Sequence, residues 1–147
     1  MLRSLAALLV AVFVGLAAAK VVESVGFLAF DLPAISEQAG GSGDGRAPGK
    51  PVVSSAAAGV LALSWLVAAF VATALALLIG RRWAPLGWLA AATIGFNAIV
   101  SLLGASAPFW IWPAGLAASA AGGLAAVKGF RARRAYPTPQ VKDGFFE

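Results

Sequence analysis

The chain contains no cysteine and no histidine, and its single methionine is Met1. The usual ligands of haem, zinc, copper and iron–sulfur centres are therefore missing, as are the usual nucleophile–base pairs. No disulfide can form, so the missing cysteines identify no compartment. Charge is scarce as well: 12% of residues are charged against 61% hydrophobic, whereas soluble domains average about 25% and about 45–50%. Too little polar surface remains to clothe a water-soluble globule. The 147 residues read as one integral membrane domain. There is no Gly-rich phosphate loop, no pair of catalytic carboxylates and no metal-ligand spacing. Neither an enzyme nor a cofactor is expected.

Four long apolar stretches are present, at about 4–29, 53–80, 86–104 and 109–127. Each reaches the ~17–25 residues a helix needs to cross a hydrocarbon core of ~30 Å. Backbone groups in lipid must pair internally, and the period-2 alternation of a membrane β-barrel is absent. The pattern predicts an all-α, four-transmembrane-helix bundle with short hairpin connections. Residues 31–52, rich in Gly and Pro, read as a flexible outer loop. "RRWAP" and "GASAP" are short enough to force antiparallel neighbours. Pro85 suits the first turn of the third span and Ser106 a capping position for the fourth. Pro113 is expected to kink the fourth.

The stretch "GLAAAKVVES", Gly15 to Ser24, permits two readings. Ala17-x-Ala19 resembles a signal-peptidase site that would release residues 1–19. Apolar character resumes at once in "VVESVGFLAF", which cleavage would leave as an uncovered apolar end. An uncleaved first span is expected. With four alternating spans, Arg3, Arg81, Arg82, Lys128, Arg131, Arg133, Arg134 and Lys142 fall on one side, leaving Lys20, Arg46 and Lys50 on the other. This placement explains the net charge of +5 by membrane insertion, without nucleic acid. The positive-inside rule puts both termini in the cytoplasm; a bacterial inner membrane is the expected location, on the resemblance described below. Trp83 and Trp88 fall near the inner interface, and Trp110 and Trp112 near the outer one. Trp65, nearer mid-span, does not fit an aromatic belt.

Polar residues within such spans are the candidate sites. Lys20 and Glu23 share a helix face within pairing reach. They read as an interface pair that snorkels towards headgroups, or as a carboxylate on a transport path. Thr93, Asn97 and Ser101 form a row down the third span, expected to face a neighbouring helix and hydrogen-bond there. Small residues recur every fourth position at Ser64, Ala68, Ala72, Ala76 and Gly80. The fourth span carries Gly115, Ser119 and Gly123, with Ala114, Ala118, Gly122 and Ala126 beside them. Such rows let helix backbones approach closely. Residues 128–147 form a basic tail in which Lys128, Arg131, Arg133 and Arg134 are candidate anionic-lipid ligands.

The segments "ESVGFLAFDLP" and "APFWIWPAGL" resemble features of a loose group of small four-helix bacterial membrane proteins with no assigned activity. The matching positions are Glu23, Gly26, Pro33, Asn97, Pro108, Trp110 and Trp112. Phe27 and Ala107 stand where that group carries histidines. The resemblance implies topology and that location, and no activity. The expected role is non-catalytic: an accessory or scaffold subunit bound to lipid, to another membrane protein or to itself. The alternative is a small oligomeric transporter or channel using Glu23 and the Thr93/Asn97/Ser101 row.

Overall fold

Among the described residues four α-helices follow one another: α1 (Leu2–Ala29), α2 (Ser55–Ile79), α3 (Ala84–Leu103) and α4 (Ile111–Gly129). The computed structural model describes residues 2–32, 53–80, 83–103 and 107–132. Most of the expected outer loop, Arg81, Arg82, Ser106 and the tail beyond Ala132 lie outside the described residues. Among the described residues three helical segments are long and apolar enough to cross a membrane: Ser4–Ala29, Ser55–Ile79 and Ala84–Leu103. The fourth stretch, expected to match them, forms a helix of 19 residues that is not among the three. Pro113, Gly115, Ser119, Gly122, Gly123 and Lys128 dilute its apolar character.

Local chemistry sets the helix ends. The second apolar run begins at Val53, yet α2 starts two residues later because Ser54 caps it. The Ser54 hydroxyl accepts a hydrogen bond from the Ala57 N–H at 3.2 Å. Pro85 is the second residue of α3, as expected. Pro113 is the third residue of α4, so its missing N–H falls among the first-turn groups that have no intrahelical partner. The expected kink therefore has no cause. Trp110 precedes α4 and makes no capping side-chain bond. At the end of α1, Asp31 takes a left-handed φ of 48°. The Leu32 N–H then bonds the Phe27 carbonyl at 2.9 Å and the Asp31 N–H that of Leu28 at 3.4 Å.

Helix α2 touches all three others. Helices α1 and α4 each pack against α2 and against α3, without touching one another. In cross-section the bundle is a rhombus, with α2 and α3 on the short diagonal. Consecutive helices are antiparallel: Gly15 lies against Ala68 and Ala72, Gly87 against Thr73 and Leu77, and Gly123 against Ala91. This leaves α2 and α4 parallel and in close contact, with Gly122 against the backbone of Leu66 and Phe70. The interior is built mainly from small residues. Ala7, Ala11 and Ala19 of α1 are buried with Ala68, Ala69, Ala72 and Ala76 of α2. A second cluster surrounds Trp65, which is 2% exposed and packs with Ala58, Ala98 and Ile111. That explains why Trp65 does not fit a belt: its ring fills the space beside Gly115. Large apolar side chains point outward instead, among them Leu9, Phe13, Leu28, Leu63, Phe96 and Leu116.

Candidate functional site

Three groups of polar residues stand out, and the first sits on the α1–α2 seam. Ala7, Ala11, Gly15, Ala19 and Glu23 recur every fourth residue on α1. The first four are buried and Glu23 is partly so. The row faces Ser64, Ala68, Ala72 and Ala76 of α2, all buried. Glu23 thus takes the position at which another alanine would continue the contact. Its Oε2 receives the Lys20 ammonium at 2.7 Å, and the carboxylate side chain is 14% exposed against 79% for Lys20. The Ser64 hydroxyl lies 3.4 Å from Glu23 Oε1 and 2.8 Å from the Leu61 carbonyl. A hydroxyl has one proton to donate, so the shorter intrahelical bond takes it. Lys20 is consequently the main partner of Glu23. Ser24 adds a bond to the Lys20 carbonyl at 2.8 Å.

The second group differs from expectation. Thr93 and Asn97 are half-buried and Ser101 is exposed, along the flank of the stripe that α3 packs (Ala90, Ala91, Ile94, Ala98 and Leu102). The Thr93 hydroxyl bonds the Leu89 carbonyl at 2.9 Å, and the Ser101 hydroxyl the Asn97 carbonyl at 2.9 Å. Both serve their own helix, as hydroxyls in helices often do. The Asn97 amide has no hydrogen-bond partner among the described residues. The row therefore makes no hydrogen bond to another helix. Thr73 does so instead, donating to the Gly87 carbonyl at 3.3 Å across the α2–α3 contact, where the glycine lets α3 approach. Ser119 of α4 turns back to the Gly115 carbonyl at 2.9 Å.

The third group lies at the opposite end from Glu23. Lys128 closes the last turn of α4, where a cation complements the helix dipole. The Arg131 N–H bonds the Lys128 carbonyl at 3.1 Å, and the Ala132 N–H that of Val127 at 3.0 Å. Arg131 holds the left-handed position of this turn, at φ 48°. Helix-terminating turns of this kind usually place glycine there, because a Cβ costs roughly 1–2 kcal/mol. The chain has a glycine two residues earlier, at Gly129, but inside the helix. Neither Lys128 nor Arg131 has an acidic partner among the described residues. Arg133 and Arg134 lie outside them.

The sequence placed Lys20 beside Glu23 but not Ser64, which it assigned only to the small-residue row of α2. The signal was the alanine and glycine spacing from Ala7 to Ala19, which carries on to Glu23. Trp88 was read as an interfacial aromatic; the fold adds that it shares a groove with Lys128 and Arg131. No signal in the linear sequence joins those three. No protein-family model, curated protein or solved structure matches the chain.

Proposed function

We propose that the chain is an integral protein of a bacterial cytoplasmic membrane, with four spans and both termini in the cytoplasm. It acts without catalysis, as an accessory or scaffold subunit bound to lipid or to another membrane protein. Membrane residence is supported by the distribution of side chains, small inside and large and apolar outside, which is the reverse of a soluble bundle. In this reading α4 crosses as the least apolar span, sheltered by α2 and α3. The resemblance to small four-helix bacterial membrane proteins agrees with the layout.

The observation that carries the accessory role is Asn97. An amide without a partner in hydrocarbon costs roughly 2–7 kcal/mol, and Asn97 stands on an outer flank of α3. A helix of another protein supplies the missing bonds. The test is purification in mild detergent, with the co-migrating chains identified for wild type and Asn97→Leu. The expected outcome is a stoichiometric partner lost in the variant, while the thermal stability of the isolated chain stays within ~2 kcal/mol. A variant that keeps the partner, or collapses alone, refutes this role for Asn97.

A second reading is a small oligomeric transporter or channel. It is favoured by Glu23, a carboxylate built into a helix–helix seam. Proton- or cation-coupled uptake into vesicles, abolished by Glu23→Gln, is its signature.

A further inference from the structure

Between the first turn of α3 and the last turn of α4 lies a groove of about 480 Å³. Pro85, Trp88, Leu124 and Val127 form apolar walls, and Lys128 and Arg131 line it as well. Trp88 and Leu124 are half-exposed there. The groove therefore joins two positive charges, without an acidic partner among the described residues, to an apolar trough. An inorganic anion would satisfy the first and leave the second bare. A neutral apolar ligand would do the reverse.

We infer that this groove binds an anionic phospholipid, with the phosphate against Lys128 and Arg131 and the start of an acyl chain along Trp88, Leu124 and Val127. The inference rests on the membrane reading above and adds a defined ligand site to it. Guanidinium meets phosphate oxygens through paired N–H donors, while an ammonium acts as a point charge. Arg131 stands at a left-handed turn position of the same kind as that of Asp31 at the end of α1, so the turn fixes where its side chain leaves the helix end and does not by itself point to a ligand.

The test uses the full chain in phosphatidylcholine vesicles that contain bromine-labelled phosphatidylglycerol or, separately, bromine-labelled phosphatidylcholine. Subtracting the fluorescence of Trp88→Phe isolates the quenching of Trp88. With two cations engaged, the anionic lipid should quench at about 30-fold lower mole fraction. Arg131→Gly should cut that preference to about 5-fold while raising the thermal midpoint, because glycine accepts the turn. Loss of binding is then separated from loss of folding. Adding Lys128→Gln should abolish the preference. Equal quenching by the two lipids in the wild type overturns the proposal. So does an equal loss from Arg133→Gln/Arg134→Gln, which would trace the preference to diffuse charge. Displacement by inorganic phosphate also overturns it, pointing to a soluble anion. Alkaline extraction of the same vesicles reads membrane integration separately. An integrated chain without preference refutes the groove alone, and an extracted chain refutes both.

Discussion

Glu23 shows how much a single position on a helix can decide. Its neighbours in the every-fourth-residue row are alanine and glycine, which add no polar atoms to the seam, whereas Glu23 brings a carboxylate to its end. The partner is Lys20, which is 79% exposed, so solvent screens much of the attraction. Pairs of this type contribute ~0.2–1 kcal/mol. Glu23→Gln preserves shape and loses only that pairing. Its thermal unfolding in detergent should therefore differ from wild type by less than ~1 kcal/mol. A far larger loss would mean that the carboxylate holds α1 against α2. Asn97 is the contrasting case. Its amide has no partner to lose among the described residues, so its replacement should be felt by whatever packs on α3.

Among the helices, close approach is the main device, and the glycines separate two kinds of site. A Cβ on Gly122 would strike the Leu66 carbonyl oxygen and come within 3.0 Å of the Phe70 nitrogen. Both are backbone atoms, which yield only if α4 moves off α2. Gly122→Ala should accordingly lower stability by ~1–3 kcal/mol. Gly59 is also helical, but nothing lies within 4 Å of an added Cβ. There the substitution only reduces backbone freedom in the unfolded chain, and Gly59→Ala should stabilise by ~0.5–1 kcal/mol. Thermal midpoints of the two variants in one detergent should move in opposite directions. A neutral Gly122→Ala would show that α2 and α4 do not approach so closely.

For the whole molecule the decisive asymmetry is end to end. The N-terminus of α1, the turn between α2 and α3 and the C-terminus of α4 gather at one end, together with Lys128 and Arg131. The end of α1 bearing Glu23 lies at the other. Under the proposed orientation the basic end is cytoplasmic. A cytoplasm-active reporter fused at Glu147 should be active, and the same reporter inserted near Gly43 should be silent. The reverse pattern would invert the molecule and place the basic groove on the outer leaflet.

The existence and approximate limits of all four helices were legible in the chain, because long apolar runs between Gly- and Pro-rich breaks leave few alternatives to helix. The close packing of α2 was legible as well. Its unbroken row from Ser64 to Gly80 is a local pattern, and every member is buried except Gly80, which is partly so. Even the unusual Trp65 was visible as a residue without a place in a belt. What lay beyond reach depended on rotation and on partners distant in sequence. The Thr93/Asn97/Ser101 row has the same spacing as the α2 row, yet it flanks its helix's packed stripe. The stripe that wins is the one where Gly87, Ala91 and Gly95 permit contact. The meeting of Ser64 with Glu23 needs the register of an antiparallel pair. The Trp88–Lys128–Arg131 groove needs two helices side by side and a left-handed turn. Composition and periodicity determine which segments become helices, because those preferences are local. Which face each helix buries is a competition among all four at once, and only the assembled bundle decides it.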